Sequence, residues 1–474
     1  MSSVPAPPVK KAKPTLTEGP VGATLVLFSL PVLASNILQS INVSINAIWV
    51  GQLLGSEALT ATANANSVLF FLLAAVFGVG MASNVIIGQS LGAKNVEQAK
   101  RAVGTTFTFF LLVSLVMAVF GAAFAPRLLR AMHTPADALP LAIAYLRVIF
   151  VALPGMYLYT FVMMALRGAG DAKTPFWFLL LSAILDVGLN PLLIRGAGPI
   201  PALGIAGAAL ATLISQWVTL ALLIAWLYKQ KHFLRIARGE IGYLRPDPSV
   251  LRALASKGIP MGLQVIVISS SMLTMMSLVN GFGTPTAAAY GACLQLWNYI
   301  QMPAFAVGAA ASAIAAQNVG AGLWDRVSRI GRAGLLYNAL LTGALVLLVT
   351  LADRWAFGLF LASSHESIEI ARHIHHVVSW SFVLFGASFV LSGVVRATGA
   401  VLVPLVILIV SVWVVRLPFA YLLMPRLGAD ALWWSFPVGS MLSLVLTSLY
   451  YRFGRWRAAR MIEPAPAALA GEAH

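Results

Sequence analysis

The sequence predicts an all-α integral membrane protein whose twelve transmembrane helices form two six-helix bundles, as parallel pseudo-twofold repeats, around a central cleft. Three observations lead to this prediction. Of the 474 residues, 59% are hydrophobic and 10% are charged, whereas a soluble domain carries about 25% charged residues. Apolar runs long enough to cross a bilayer recur along the whole chain. The two halves of the chain also repeat the same residues at an almost constant spacing.

Twelve apolar segments reach the length of about 20 residues that a spanning helix needs. They comprise residues 23–50, 58–88, 102–126, 139–166, 175–195, 204–228, 258–281, 286–316, 332–360, 367–395, 403–424 and 430–452. Because backbone polar groups in hydrocarbon must be satisfied within the segment, each one is expected to be a helix.

The longest polar interruption, residues 229–257, is predicted to be a cytoplasmic linker. It would join an N-terminal lobe (23–228) to a C-terminal lobe (258–452), with tails at 1–22 and 453–474. With the N-terminus in the cytoplasm, 23 of the 31 lysines and arginines fall on that side and five on the other. This excess predicts that both termini are cytoplasmic, and it explains the net charge of +16 without a nucleic-acid partner.

The sequence offers little support for an enzyme or a metal site. The one cysteine, Cys293, excludes a disulfide framework and a multi-thiolate metal site. The chain has no Walker loop, HExxH motif or nucleophile elbow, so no enzymatic activity is expected. Adjacent residues point to different faces of a helix, so the cluster His373, His375 and His376 is not expected to chelate a metal.

The halves of the chain match at equivalent helix ends. Four residues recur 228 positions later, namely Gly80, Gln89, Gly92 and Ala93. Four others recur 229 positions later, namely Pro31, Arg167, Gly170 and Pro175. Six spans is an even number, so both halves enter the membrane from the same side and are parallel repeats. Such a pair can enclose a cleft that opens to either side by rocking.

These repeated loops resemble those of the multidrug and toxic compound extrusion (MATE) family. The matching motifs are Gly88-Gln-Ser-Leu-Gly-Ala93, Ala316-Gln-Asn-Val-Gly-Ala321, Leu166-Arg-Gly-Ala-Gly-Asp-Ala-Lys-Thr-Pro175, Arg396-Ala-Thr-Gly399, Leu189-Asn-Pro-Leu-Leu-Ile194 and Gly207-Ala-Ala-Leu-Ala-Thr212. The resemblance covers about residues 23–452. It implies export of small organic compounds, often cationic and amphiphilic, by antiport against protons or sodium ions. We expect no cofactor beyond that coupling ion, and a monomer in the bacterial inner membrane.

One acidic residue lies deep in a predicted span. The other fourteen of the fifteen acids are in tails, loops or span ends, but Asp186 is in the middle of residues 175–195. A carboxylate at that depth costs about 2.5–3.5 kcal/mol on insertion scales, and such residues usually face a cavity. This cost favours the protonated form and suits a group that takes up and releases protons. Asn190 follows Asp186 by four residues and shares its helix face.

We therefore predict an ion-coupling site formed by Asp186, Asn190, Asn46 and Thr212. Many members of the MATE family carry an aspartate where this chain has Asn46, and one branch has a second acid in its cation site. With one carboxylate instead of two, the resemblance favours protons over sodium ions. The predicted substrate cavity contains Gln39, Asn42, Asn64, Ser67, Met163, Gln295 and Asn298.

In the predicted cycle, substrate enters an inward-open cleft while Asp186 is ionised. Protonation of Asp186 from outside then releases the substrate. Asp186 is expected to face the cleft directly. Arg167 and Arg396 are expected to reach the cytoplasmic headgroups as anchors. The alternatives are a flippase for lipid-linked precursors, from the same wider superfamily, and an uncoupled channel.

Overall fold

The computed structural model describes residues 16–132, 134–196, 198, 201–361 and 365–462, and these residues form helices and connecting loops without a strand. The predicted tails 1–22 and 453–474 lie largely outside the described residues. The chain is therefore all-α over the part that the structure describes, as predicted.

Six helices occupy the N-terminal half. They are α1 (Val21–Leu54), α2 (Ser56–Gly92), α3 (Val96–Ala131), α4 (Leu139–Gly168), α5 (Lys173–Arg195) and α6 (Ile205–Lys229). A short 3-10 helix, Arg238–Leu244, lies in the linker that follows. Its Glu240 carboxylate pairs with Lys100 of α3, and Thr108 of α3 donates to the carbonyl of Leu244 at 2.7 Å. The linker is thus packed against the N-terminal half.

Nine helices occupy the C-terminal half because some spans are broken. They are α7 (Pro248–Asn280), α8 (Thr284–Gly320), α9 (Trp324–Leu351), α10 (Asp353–Gly358), α11 (His365–Val378), α12 (Ser381–Arg396), α13 (Leu402–Ile409), α14 (Leu417–Leu427) and α15 (Asp430–Phe453). A π-helical segment, Val410–Arg416, joins α13 to α14. Pro418 has no N–H to donate to the carbonyl of Val414, and a widened turn at that point is the expected response of the backbone.

The described residues provide the twelve predicted spans. Eleven helical stretches are long and apolar enough to cross a membrane, and α11 with α12, bent by 45°, makes the twelfth. The bounds of several spans differ from the sequence prediction, and α7 begins at Pro248, inside the predicted linker 229–257, so the linker is shorter than predicted. The ninth span ends at Leu351 and is followed by the separate α10, and the tenth span is broken between Val378 and Ser381. The first break is marked in the sequence by the adjacent charged residues Asp353 and Arg354, whereas the second lies in an uncharged stretch and composition does not reveal it.

The halves of the chain are in close backbone contact where α2 and α8 end. A methyl group on Gly92 would lie 1.9 Å from the carbonyl oxygen of Gln317, and one on Gly320 would lie 2.0 Å from that of Gln89. Gln89 Nε2 donates to the carbonyl of Ala397 at 2.6 Å, and Gln317 Nε2 donates to that of Gly168 at 3.0 Å. We call Gln89, Gly92, Gln317 and Gly320 the seal. Its contacts are reciprocal. Gly92 contacts Gln317, and their counterparts in the repeat, Gly320 and Gln89, contact each other in the same way.

The seal explains why the glycines repeat. Only glycine lets the two backbones approach this closely, since any Cβ would overlap a carbonyl group. Leu16, at the start of the described chain, adds to the same end. Its N–H donates to Gln317 Oε1 at 3.2 Å, and its carbonyl accepts from Asn318 Nδ2 at 3.2 Å.

We predict that Gly92→Ala opens or distorts the seal, because its methyl group would meet backbone rather than a flexible side chain. The expected cost is about 1–3 kcal/mol, typical of overpacking, and it should lower the thermal midpoint of the purified protein. Gly188→Ala in α5 is the matched control, because nothing lies within 4 Å of the position of its added methyl group. Equal midpoints for the two variants would contradict the assignment of the seal.

Candidate functional site

A polar pocket surrounds Asp186 inside the N-terminal half. Asp186 is 3% exposed. Its Oδ2 accepts from Asn46 Nδ2 at 2.8 Å and from Asn42 Nδ2 at 3.0 Å, both on α1. Its Oδ1 accepts from Thr212 Oγ1 of α6 at 3.1 Å and from Asn190 Nδ2 at 3.4 Å. The structure therefore brings together the four residues of the predicted coupling site, and it adds Asn42 to them.

The pocket holds the carboxylate with neutral groups. Among the described residues, no lysine, arginine or histidine forms an ion pair with Asp186, so its charge is balanced only by hydrogen bonds to amides and a hydroxyl. The buried Oδ1 atoms of Asn42 and Asn190 have no hydrogen-bond partner in the described structure. Both residues contact Asp186 through Nδ2, so two uncommitted acceptor oxygens lie in residues next to the carboxyl group.

A separate cavity of about 900 Å³ lies between the two halves of the chain, and we call it the chamber. Six residues of α1 line it, namely Phe28, Val32, Asn36, Gln39, Ser40 and Val43. Asp186 is not among the described residues that line the chamber. Asn42 and Asn46 bind it on the other side of α1. The expectation that Asp186 faces the cleft directly is therefore wrong: α1 stands between the two.

The structure also corrects the predicted list of residues in the substrate cavity. Gln39 and Asn298 line the chamber, whereas Asn42 binds Asp186. Asn64 and Ser67 bond to carbonyls of their own helix, at Thr60 and Ala63, and neither lines the chamber.

Two further predicted residues do not line the chamber, although a neighbour of each on the same helix does. Met163 and Met164 are both buried, but only Met164 lines the chamber, and Leu294 lines it next to Gln295, which does not. Each residue turns a helix by about 100°, so a polar or methionine-rich stripe identifies the helix more reliably than the residue.

Sequence reasoning missed the basic groups of the chamber. Arg167 and Arg396 line it instead of extending to headgroups. Arg396 is 2% exposed, and its Nη1 donates to Gln264 Oε1 at 3.0 Å. Its guanidinium carbon also lies 5.1 Å from the centre of the Phe389 ring. The available signal was the repeat itself, since these arginines occupy equivalent ends of α4 and α12.

The histidine cluster is a polar helix end, as expected. His373 Nε2 lies 2.7 Å from Asp430 Oδ1, and His376 Nε2 lies 2.7 Å from Asp353 Oδ2. Burial alone would raise the pKa of Asp353, but the neighbouring His376 and Arg372 hold this pKa below its ordinary value. The three histidines face different partners, and the described residues contain no group of three side chains suited to a metal ion.

Comparison with known proteins decides the family. The family model for MatE matches the chain twice, at residues 31–192 and 260–422, which together make up more than half of it. The chain belongs to the MatE family. The two matches begin at Pro31 and Pro260, the repeat positions found in the sequence. The resemblance to multidrug and toxic compound extrusion transporters is thus confirmed, and this MatE protein is a multi-pass membrane transporter rather than an enzyme.

Similar proteins extend over most of the chain. The probable multidrug resistance protein YoeA of Bacillus subtilis (strain 168) is 37% identical over 446 residues, which cover 94% of this chain and 95% of YoeA. An FAD transporter of Shewanella oneidensis is 30% identical over 316 residues, which cover 66% of this chain and 69% of that protein.

A solved structure has the same fold. A multidrug resistance MATE family transporter in an outward-facing conformation aligns with a TM-score of 0.87 at 22% identity, covering 95% of this chain and 99% of its own.

The chamber boundary predicts which of two neighbouring methionines is accessible. In a protein whose buried Cys293 is replaced by alanine, Met164→Cys should react with a charged methanethiosulfonate reagent, because it lines the chamber. Met163→Cys, one residue away and packed inside the N-terminal half, should react at least ~10-fold more slowly, since only an accessible thiolate can attack the reagent and displace its sulfinate group. Mass spectrometry of labelled protein gives both rates. Equal rates would contradict the assigned walls.

Proposed function

We propose that this MatE transporter exports amphiphilic organic compounds, including drugs, in exchange for protons, and that Asp186 is the coupling group. The observation that carries the proposal is a buried carboxylate held only by neutral donors in the described structure, beside two unpartnered amide oxygens. The name of YoeA as a multidrug resistance protein supports drugs as cargo. One carboxylate, without a second acid among its partners, favours a proton over a sodium ion.

Transport is proposed to occur by alternating access. The seal closes the chamber at the end where α2 and α8 terminate. The distribution of lysine and arginine places that end, together with both termini, on the cytoplasmic side of a bacterial inner membrane. On this proposal the protein is a monomer that is outward-open when the seal is formed, and the inward-open state requires the seal to separate. Two side-chain hydrogen bonds and close glycine contacts hold the seal together. Water can replace the partners of these hydrogen bonds when the seal separates.

Coupling is proposed to act through α1 rather than by direct contact with cargo. Asn42 and Asn46 tie α1 to Asp186, while Gln39 and Val43 of the same helix line the chamber. Adding a proton removes the negative charge that strengthens these two hydrogen bonds. α1 is then less tightly held against α5. Pro31 lies inside α1 and leaves one backbone carbonyl without its usual partner, which gives the helix a point at which it can bend.

The charge of the cargo is a separate question. The resemblance implied a cationic cargo, whereas the charged side chains in the described chamber walls are Arg167 and Arg396. These walls also favour the flippase alternative more than the channel, because lipid-linked precursors carry phosphates. Substrate class is therefore argued from the chamber itself in the next subsection.

We predict that Asp186→Asn loses export driven by a pH gradient by ~10-fold or more, because an amide cannot exchange a proton at this position. Proteoliposomes loaded with a fluorescent substrate would be given a pH gradient or a sodium gradient separately. Wild-type protein should respond to the pH gradient only. Glu57→Gln, an exposed acid in the first turn of α2, is the matched control and should retain export.

Wild-type rates in Asp186→Asn would disprove its coupling role. A response of wild-type protein to the sodium gradient alone would identify sodium as the coupling ion instead. Flux that needs neither gradient and runs down the substrate gradient would revive the channel alternative.

A further inference from the structure

We propose that the chamber binds organic anions, specifically amphiphiles with an apolar or aromatic body and a carboxylate, sulfonate or phosphate group held by Arg167 and Arg396. This inference rests on the proposed function only in taking the chamber as the substrate site. It does not depend on the identity of the coupling ion or on the role of Asp186.

The charge of the chamber walls is the first argument. In the part of the chain that the structure describes, the walls contain two arginines and no aspartate or glutamate. Asp186, the nearest candidate for a compensating acid, is bonded to Asn42 and Asn46 behind α1 instead. A cation entering this chamber would meet two like charges and no opposite one, whereas an anion would meet two opposite charges.

Both arginines lie at the sealed end of the chamber. The carbonyl that follows Arg396, that of Ala397, accepts from Gln89, and the carbonyl that follows Arg167, that of Gly168, accepts from Gln317. The backbone of each arginine is thus held by the seal, and its side chain extends into the chamber. The repeat places one guanidinium from each half at this end.

Each arginine has an N–H group that no described residue accepts. Arg396 uses Nη1 on Gln264 Oε1, but its buried Nε has no hydrogen-bond partner among the described residues, and neither has the Nε of Arg167. The amide nitrogen of Gln264 is also buried and unpartnered there. Neither arginine forms an ion pair with a described acid. A buried charge without a partner is costly, and an anion in the chamber would supply the missing partner.

Hydroxyl groups on the C-terminal side add neutral donors. Ser388 Oγ lies 2.8 Å from Ser443 Oγ and 3.0 Å from Thr447 Oγ1, and all three residues line the chamber with Arg396. Hydroxyl groups next to a guanidinium are suited to the oxygens of phosphate and carboxylate groups.

The remaining walls indicate the body of the ligand. Aromatic and methionine side chains from both halves line the chamber, among them Phe28, Phe77, Met81, Phe305, Phe385 and Met302. A volume of about 900 Å³ lies within the range of drug-sized sites, which is about 300–1,000 Å³. Polarizable methionines adapt to ligands of different shape. The chamber therefore combines a permissive apolar space with a basic end.

Equilibrium binding of two dyes tests the proposal. Fluorescein and rhodamine 123 share a xanthene skeleton, but fluorescein is an anion at pH 7.5 and rhodamine 123 is a cation. Fluorescence anisotropy would be measured with the purified protein in lipid nanodiscs, after subtraction of empty nanodiscs. We expect wild-type protein to bind fluorescein ~10-fold or more tightly than rhodamine 123, since charge-assisted hydrogen bonds are available only to the anion.

Variants assign the effect to the basic end. Arg396→Gln and Arg167→Gln should each weaken fluorescein binding by ~10-fold, because a charged donor is removed, and should leave rhodamine 123 binding equal or tighter. Arg354→Gln is the control, because this arginine is 70% exposed and pairs with Glu369 away from the chamber. If an arginine variant fails to fold, the ratio of the two dyes on wild-type protein still decides. Rhodamine 123 binding as tightly as fluorescein to wild-type protein would overturn the proposal.

Transport distinguishes the two sources of such an anion. Export of fluorescein from proteoliposomes that depends on Arg396 would identify soluble amphiphiles as the cargo. Movement of NBD-labelled phosphatidic acid between leaflets, measured by dithionite quenching and lost in Arg396→Gln, would identify a lipid as the source. Binding needs no ion gradient, so a failure of the Asp186 assignment and a failure of this proposal give different results.

Discussion

The reciprocal backbone contact between α2 and α8 is the constraint on which the chamber depends. Gly92 lies against Gln317, and Gly320 lies against Gln89, so close that neither glycine can carry a side chain. This contact joins the halves where α2 and α8 end. It also sets the positions of Arg167 and Arg396, because the glutamines of the seal bind the carbonyls next to them.

The structure separates two kinds of charge that a single cleft would bring together. The carboxylate of Asp186 lies in its own pocket, bounded by α1, α5 and α6, and the guanidinium groups lie in the chamber. If the acid and the arginines shared one cavity, they would pair with each other, and a proton or an anion would have to compete with that pair. On the proposed mechanism, the helix between them would let a proton alter the chamber through the position of α1 rather than through competition for one site.

Much of the fold follows from the sequence because its causes are local. Apolar length predicts the spans, and the repeated glycines predict equivalent helix ends. The break before α12 was missed, since a bend within an uncharged apolar stretch leaves no trace in composition, and the break before α10 was missed although Asp353 and Arg354 mark it. The coupling pocket was predicted for a similar reason: Asp186 and Asn190 are four residues apart on one helix, and an isolated acid in hydrocarbon needs polar neighbours. Asn42 was assigned to the wrong cavity because it lies beside Gln39 on α1, and only packing shows which side of α1 meets α5.

The sequence by itself determined the family resemblance, the number of spans, the duplication, and the buried acid with three of its four partners. The spans, the duplication and the acid depend on spacing along one chain or on the cost of a charge in hydrocarbon, whereas Asn46 and Thr212 were implied by the family resemblance. Only the tertiary structure decided that α1 shields Asp186 from the chamber and that two arginines line its closed end. An arginine at the end of a span can extend to headgroups or turn inward. Which it does depends on the helices packed around it, here those joined at the seal.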